Sequence, residues 1–227
     1  AGTNESAVAE SGNNPGNTRQ TNTDAGFSMI AYTGTGAAGT IAHGLGVKPA
    51  LMMIKNRTSS ADGDDWVIYH KSLTATNYQK LNETNASIDS SGIFNDTEPT
   101  SSVFTVNTSH QVNEDGESLM AWVWAEKKGY SKMGTYKGNA ASDGPFIWTG
   151  FTPAFIIIKN VTDAADWTMW DDKRNPVEGN ERDIQLYPNL ANTEDSVSTT
   201  TIIDICSNGF KISGTNNKVN GSGHSMI

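Results

Sequence analysis

The sequence predicts an all-β protein built from two tandem antiparallel β-sandwich units of the jelly-roll or lectin-like type, related by an internal duplication. The pattern Pro-Ala-Leu-Met-Met-Ile-Lys-Asn at residues 49–56 returns as Pro-Ala-Phe-Ile-Ile-Ile-Lys-Asn at residues 153–160. Each copy follows a glycine and precedes an Asp-Trp pair, Asp65-Trp66 or Asp166-Trp167. A repeated segment of this kind indicates a duplicated structural unit. Short apolar runs between Gly, Asn and Asp residues, without any capped helical period, predict that the units consist of strands.

The first unit is predicted over residues 26–126 and begins with three strands. The apolar run at 27–32 ends in a Thr-Gly-Thr-Gly turn. The run at 39–46 is a short strand that enters a glycine turn, where positive φ angles are needed. The run at 51–55 is continuously apolar after a proline, which predicts a strand buried on both faces.

Four further strands complete the predicted first unit. The segment 66–70 follows an acidic loop, and 78–81 is a weaker apolar run. Residues 103–106 are rich in β-branched side chains, and 119–124 closes the unit with two tryptophans that alternate with small or aliphatic residues. About seven short strands with turns at this spacing are typical of an antiparallel sandwich.

The second unit is predicted over residues 129–227, and its strands match those of the first in order. They are expected at residues 132–136, 146–149, 155–159, 167–170, 184–186, 202–206 and 210–213. The correspondence breaks at the end, where Ser118-Leu119-Met120 matches Ser225-Met226-Ile227 and residues 121–126 have no counterpart. The second unit is therefore predicted to lack its last strand. Either the sequence is a fragment or a neighbouring chain completes the sheet; we expect a fragment, since an unfinished apolar strand is an aggregation hazard.

Composition excludes some classes of function. The chain of 227 residues has a net charge of −9, which would repel a phosphate backbone, so nucleic acid is not an expected partner. No apolar run approaches the ~18 residues of a membrane span, so membrane insertion is not expected. The single cysteine, Cys206, allows no intrachain disulfide and is interpreted as a small buried hydrophobe. Residues 1–25 are polar and without hydrophobic period, which predicts a linker or N-terminal arm.

Catalytic motifs are not found, and the sequence predicts a protein that is not an enzyme. The four histidines have no metal-site spacing, and no G-x-S-x-G nucleophile motif occurs. The many carboxylates lie mostly in loops and are better explained as solvated turns than as a glycosidase pair. No cofactor is expected, with the exception of calcium.

A calcium site is the metal hypothesis that the sequence supports best. Asp62, Asp64 and Asp65 cluster around a turn glycine, and Asp163 and Asp166 recur in the equivalent loop of the second unit. Calcium prefers such oxygen ligands. The spacing is not that of an EF-hand loop, and ordinary acidic turns remain the alternative.

Two tryptophans are candidates for ligand binding. Trp66 shares a strand face with Ile68, and Trp122 and Trp124 lie on a closing strand whose two faces are both expected to be buried. Trp148 and Trp170 are the better candidates for exposure, and an exposed indole can stack on a sugar ring.

The order of motifs resembles an uncharacterised repeat domain of tailed-phage tail-fibre and other virion proteins of the marine phage type. The resemblance rests on residues 26–36, 43–49, Lys55, 66–70 and 95–104 of the first unit and on residues 134–139, 150–155, 171–174 and 208–211 of the second. It covers nearly everything after residue 24. Members usually continue beyond the position of Ile227 with an apolar strand, which agrees with the fragment interpretation. The resemblance supplies no catalytic residues.

The resemblance implies a structural or adhesive role in a virion, outside the host cell, in a tail fibre or surface appendage. Expected partners are other virion chains, further copies of this chain in a homo-oligomer such as a trimer, and a host surface glycan or protein. Recognition is expected where the units differ, in the loops around 73–85 and 174–194. The alternatives are a capsid decoration or other non-receptor structural protein, and a polysaccharide depolymerase.

Overall fold

The computed structural model describes residues 2–58, 64–174, 181–194 and 202–227. They form antiparallel sheets with little helix, which confirms the predicted all-β class. The strands are β1 (Thr3–Asn4), β2 (Asn17–Asn22), β3 (Phe27–Thr33), β4 (Gly39–Ala42), β5 (Leu51–Asn56), β6 (Val67–His70), β7 (Asn77–Lys80), β8 (Ile88–Asp89), β9 (Val103–Val106), β10 (Ser118–Trp124), β11 (Tyr136–Lys137), β12 (Phe146–Trp148), β13 (Phe155–Ile158), β14 (Thr168–Asp171), β15 (Glu181–Arg182), β16 (Ile202–Cys206), β17 (Gly209–Ser213) and β18 (Ser225–Met226).

In the described ranges, three one-turn helices interrupt the strands: α1 (Ser91–Phe94), α2 (His110–Asn113) and α3 (Asn217–Asn220). Two have side-chain N-caps, because Ser109 accepts a hydrogen bond from the backbone of α2 and Asn216 accepts one from the backbone of α3. Four residues are too few to display a helical period, so the pattern of the sequence did not predict them. No helix among the described residues has the length or apolar character that a membrane crossing requires.

The chain divides into two compact units. The first comprises Ala1–Lys80 and Ile88–Lys127, and the second comprises Leu81–Ser87 and Lys128–Ile227. The short segment Leu81–Ser87 thus belongs to the second unit although the sequence placed it inside the first. Its backbone explains the assignment, since Ser87 donates a hydrogen bond to the carbonyl of Val161 (2.9 Å).

The first unit contains an eight-stranded sheet in the order β1-β2-β3-β10-β5-β6-β7-β8 and a two-stranded sheet of β4 and β9. Strand burial alternates, because successive side chains of a strand point to opposite faces. One face of the large sheet meets the apolar residues of β4, β9, α1 and α2 in a single core. Fully buried members of this core include Ile30, Ile41, Met52, Ile54, Phe104, Val106, Leu119 and Val123.

The other face of the large sheet carries half-buried aromatic side chains. Trp66 stacks on Trp122 with ring centroids 5.2 Å apart, and Phe27 lies 5.0 Å from Trp124. The predictions that residues 51–55 and the closing strand are buried on both faces are therefore wrong. Each strand buries one face completely and leaves the other partly open to solvent. A continuous apolar run cannot distinguish these two arrangements.

The segment predicted as a polar linker or arm forms part of the first unit. Strand β2 pairs along its whole length with β3, from Asn17 opposite Tyr32 to Asn22 opposite Phe27. The buried hydroxyl of Thr21 lies 3.1 Å from that of Ser28, so the polar side chains that face inward have polar partners. A strand held by backbone hydrogen bonds and polar pairs has no hydrophobic period, and so β2 left no signal in the sequence.

The second unit contains a four-stranded sheet in the order β12-β17-β16-β15 and two-stranded sheets of β13 with β14 and of β11 with β18. Its core joins side chains from β11, β12, β13, β14, β16, β17, β18 and α3. The buried members are Ile156, Ile158, Trp170, Ile203, Ile205, Phe210, Ile212, Val219 and Met226.

Candidate functional site

The two tryptophans proposed as ligand contacts differ in exposure. The side chain of Trp148, on β12, is 61% exposed, whereas Trp170, on β14, is 1% exposed and packs in the core of the second unit. The predicted exposure of Trp170 is wrong. Its place in the repeat contains the signal that could have shown this: Trp170 stands four residues after Asp166, as Tyr69 stands four residues after Asp65, and Tyr69 is also fully buried.

The exposed Trp148 belongs to an aromatic surface on an edge strand. Phe146 is 48% exposed and lies two positions before it, on the same face of β12. In the described part of the chain, β12 pairs with β17 alone, which leaves its other edge open. Phe146 falls in the strand predicted at 146–149 but was not predicted to belong to a site, although its two-residue spacing from Trp148 is visible in the sequence. We call Phe146 and Trp148 the aromatic surface.

The backbone at Gly150 lies close to the Trp148 ring. Gly150 has a φ of +85°, and a Cβ at this position would lie 3.0 Å from Cζ2 of the Trp148 ring. The glycine therefore permits both the turn and the close approach of the indole to the backbone. The ammonium group of Lys132 lies 5.8 Å from the ring centroid, at the outer limit of a cation–π contact. The aromatic surface thus combines apolar rings with a hydrogen-bond donor.

The predicted calcium ligands do not meet in the described residues. Asp62 lies outside them, and among the described residues no group of three acidic, histidine or cysteine side chains could hold a metal ion. Asp65 forms an ion pair with Lys80 (2.6 Å), and Asp166 forms one with Lys218 (2.8 Å). Asp64 lies 3.8 Å from His110, and Asp163 accepts a hydrogen bond from Asn217 (3.2 Å). Lys80 and Lys218 supply the positive charge beside Asp65 and Asp166 that a bound cation would otherwise provide. Calcium binding stays a prediction.

Asp166 and Lys218 line an open depression of about 460 Å³ in the second unit, together with residues between Tyr187 and Glu194 from one of the loops where recognition is expected. Burial opposes ionisation of Asp166, but hydrogen bonds from Lys218 and Asn189 outweigh it, and its pKa lies below the ordinary value. The Lys218 ammonium also lies 4.4 Å from the centroid of the Tyr187 ring. The depression therefore presents a fixed carboxylate, an ammonium and a ring, the kinds of group that orient a polar ligand.

Lys159, in the segment that repeats Lys55, is fully buried in the second unit. Its ammonium donates hydrogen bonds to the carbonyls of Thr84 (2.9 Å) and Ala165 (2.5 Å). The ammonium of Lys55 likewise donates to the carbonyl of Asp64. Burial lowers the pKa of Lys159 from 10.5 to about 8, and the nearby carboxylates of Asp166 and Asp163 oppose this shift.

We expect the stability of the second unit to rise with pH between about 8 and 10 because of Lys159. In this window the unfolded chain keeps a proton that the folded chain has lost, so an increase in pH favours the folded state. The difference in melting temperature between wild type and Lys159→Met, followed by scanning calorimetry from pH 7 to 10, measures the effect. A slope in Lys159→Met equal to that of the wild type would contradict the assignment.

The comparisons with known proteins give a family and no further relative. A family model described as "Domain of unknown function (DUF7483)" matches residues 3–227, a range that includes both units and the aromatic surface. No curated protein and no solved structure matches the chain. The chain belongs to the DUF7483 family of domains of unknown function.

Proposed function

We propose that this chain is a structural and adhesive module of a bacteriophage virion protein, a tail fibre or surface appendage that contacts the host cell surface. The observation that carries the adhesive part is the 61% exposure of Trp148 on an edge strand, beside an exposed Phe146. A cluster of large exposed aromatic side chains marks an interaction site more often than a chance surface. The virion part is supported by the order of motifs, which resembles tail-fibre domains.

The ligand that fits the aromatic surface best is a glycan. A sugar ring has an apolar C–H face that stacks on an indole and hydroxyl groups at its rim that accept and donate hydrogen bonds. Lys132 stands close to the Trp148 ring and can donate to such hydroxyls. The strands hold this surface in place, which lowers the entropic cost of binding.

The test is binding of the purified chain to immobilised bacterial surface polysaccharides and to intact cells carrying them. Trp148→Ala is expected to weaken binding about tenfold, since an aromatic stacking contact is worth ~0.5–1.5 kcal/mol beyond its buried area. Phe155→Ala is the matched control, because this aromatic side chain is 60% exposed but lies on a different sheet. Equal binding by wild type and Trp148→Ala would overturn the glycan proposal.

The same preparation separates the two alternative functions. Association with capsids without binding to cells would favour a decoration protein. Shortening of the polysaccharide on incubation would favour a depolymerase, and Asp65→Ala and Asp166→Ala should then abolish it.

We further infer that the two units are copies of one duplicated sandwich. Matching positions make matching hydrogen bonds: the hydroxyl of Tyr32 donates to the carbonyl of Val112 (2.6 Å), and that of Tyr136 donates to the carbonyl of Val219 (2.8 Å). In a fibre, such modules assemble as homo-oligomers such as trimers. Mass photometry of the purified chain tests this, and a monomer at micromolar concentration would count against it.

A further inference from the structure

Among the residues that the structure describes, strand β13 of the second unit has one unpaired edge. Its other edge pairs with β14, where the backbone of Asp172 donates to the carbonyl of Ala154 (3.0 Å). Hydrogen-bonded and non-hydrogen-bonded pairs alternate along an antiparallel ladder, so Phe155 and Ile157 direct their N–H and C=O groups away from β14. No residue in the described ranges pairs with these four groups.

The matching edge of the first unit, on strand β5, is paired with another strand. There the backbone of Lys71 donates to the carbonyl of Ala50 (2.9 Å), the counterpart of the bond between Asp172 and Ala154. On its other side β5 pairs with β10, with Met53 opposite Trp122 and Leu51 opposite Trp124. Strand β10 also pairs with β3 and is the central strand of the large sheet.

The beginning of the same pairing is present in the second unit. Ile227 and Lys159 exchange both backbone hydrogen bonds at 3.0 Å, and the backbone of Val161 donates to the carbonyl of Ser225 (3.0 Å). In the first unit, Arg57 donates to Ser118 (2.9 Å) in the equivalent position. A strand that runs on in the direction of Met226 and Ile227 would therefore reach Ile157 and then Phe155.

The side chains along β13 are apolar, which suits pairing of its unpaired edge with another apolar strand. Phe155 is 60% exposed, whereas Leu51 at the matching position is half-buried beside Trp124. The run from Phe155 to Ile158 has no charge, proline or bulge of the kind that protects a free edge. In β10 the inward residues Ala121 and Val123 are fully buried, while the tryptophans cover the opposite face.

We propose that the free edge of β13 is a docking site for one extended apolar strand of the chemistry of β10, in line with β18 and antiparallel to β13. Its inward positions take small or aliphatic residues against the core at Ile156 and Ile158. Its outward positions take aromatic residues that cover Phe155. Backbone hydrogen bonds to Phe155 and Ile157 fix its register, as in β-strand addition.

The test is a chain extended after Ile227 by Ala-Trp-Val-Trp-Ala-Glu, a copy of residues 121–126. We expect the amides of Phe155 and Ile157 to exchange at least about tenfold more slowly than in the parent chain, and the melting temperature of the second unit to rise. The control extension, Ala-Pro-Val-Trp-Ala-Glu, replaces the residue that would pair with Ile157 by proline, which cannot donate a hydrogen bond. It should leave both amides as in the parent chain.

Two results would overturn the proposal. The first is equal exchange at Phe155 and Ile157 in the extended, control and parent chains. The second is protection of these amides in the parent chain that increases with protein concentration, because another copy would then occupy the edge. The parent chain is the reference in every comparison, and the concentration series on the parent chain tests the proposal even where an extension fails to fold.

Discussion

Replacement of Trp170 by alanine is expected to destabilise the second unit by ~3–5 kcal/mol, the usual cost of removing a large buried aromatic side chain. Trp170 is 1% exposed and packs in one cluster with Ile156, Ile203 and Ile212. Its removal leaves a cavity that strands on both sides cannot close without losing their register. Urea unfolding followed by circular dichroism measures the loss as a lower midpoint.

Trp148→Ala is the matched control for this change. It removes the same side chain from an exposed position, so its effect on stability should stay within about 0.5 kcal/mol. Together the two variants distinguish a buried tryptophan that stabilises the fold from an exposed one that contributes little to stability. If Trp148→Ala destabilised the unit as much as Trp170→Ala, the aromatic surface would be part of a core and the glycan proposal would lose its basis.

The parts of the fold that the sequence predicted are those with an apolar signal. Strands β3, β5, β9 and β10 each bury one apolar face, and their predicted positions agree with the structure within a residue or two. Strand β2 was not predicted, because its stability comes from backbone pairing with β3 and from polar contacts. The strand predicted at 184–186 is not an extended strand in the structure; Leu186 forms an isolated bridge with Met169 there.

The candidate site was predicted in part, and the reason is geometric. Trp148 was identified by elimination, because Trp66, Trp122 and Trp124 were expected on buried strand faces. The contact with Lys132 and the close approach of Gly150 depend on how turns bring separate segments together, and no local pattern encodes that. For Trp170 the sequence did contain the information. Its position in the repeat corresponds to that of the buried Tyr69, so comparison of the two repeated segments is the better guide to its burial.

Replacement of Asn220 by alanine should destabilise the second unit on the order of 3 kcal/mol, because each buried group left without a partner costs ~1–3 kcal/mol. The Asn220 side chain is fully buried; it accepts a hydrogen bond from the backbone of Asn139 (2.8 Å) and donates to the carbonyls of Ala141 (2.8 Å) and Gly214 (2.7 Å). Alanine cannot replace any of these bonds, and the turn before β12 would lose its anchor to α3. Urea unfolding of the second unit measures the loss.

Asn217→Ala is the matched control, since this residue lies in the same helical turn with an exposed side chain, and it should change stability by less than about 0.5 kcal/mol. The first unit has an equivalent buried asparagine. The Asn113 side chain is fully buried; it accepts a hydrogen bond from the backbone of Thr35 (3.0 Å) and donates one to the carbonyl of Ala37 (2.6 Å). Asn113→Ala should therefore lower the stability of the first unit by a comparable amount. Losses of very different size would argue that the two asparagines hold unrelated turns, and would weaken the inference that one unit was duplicated.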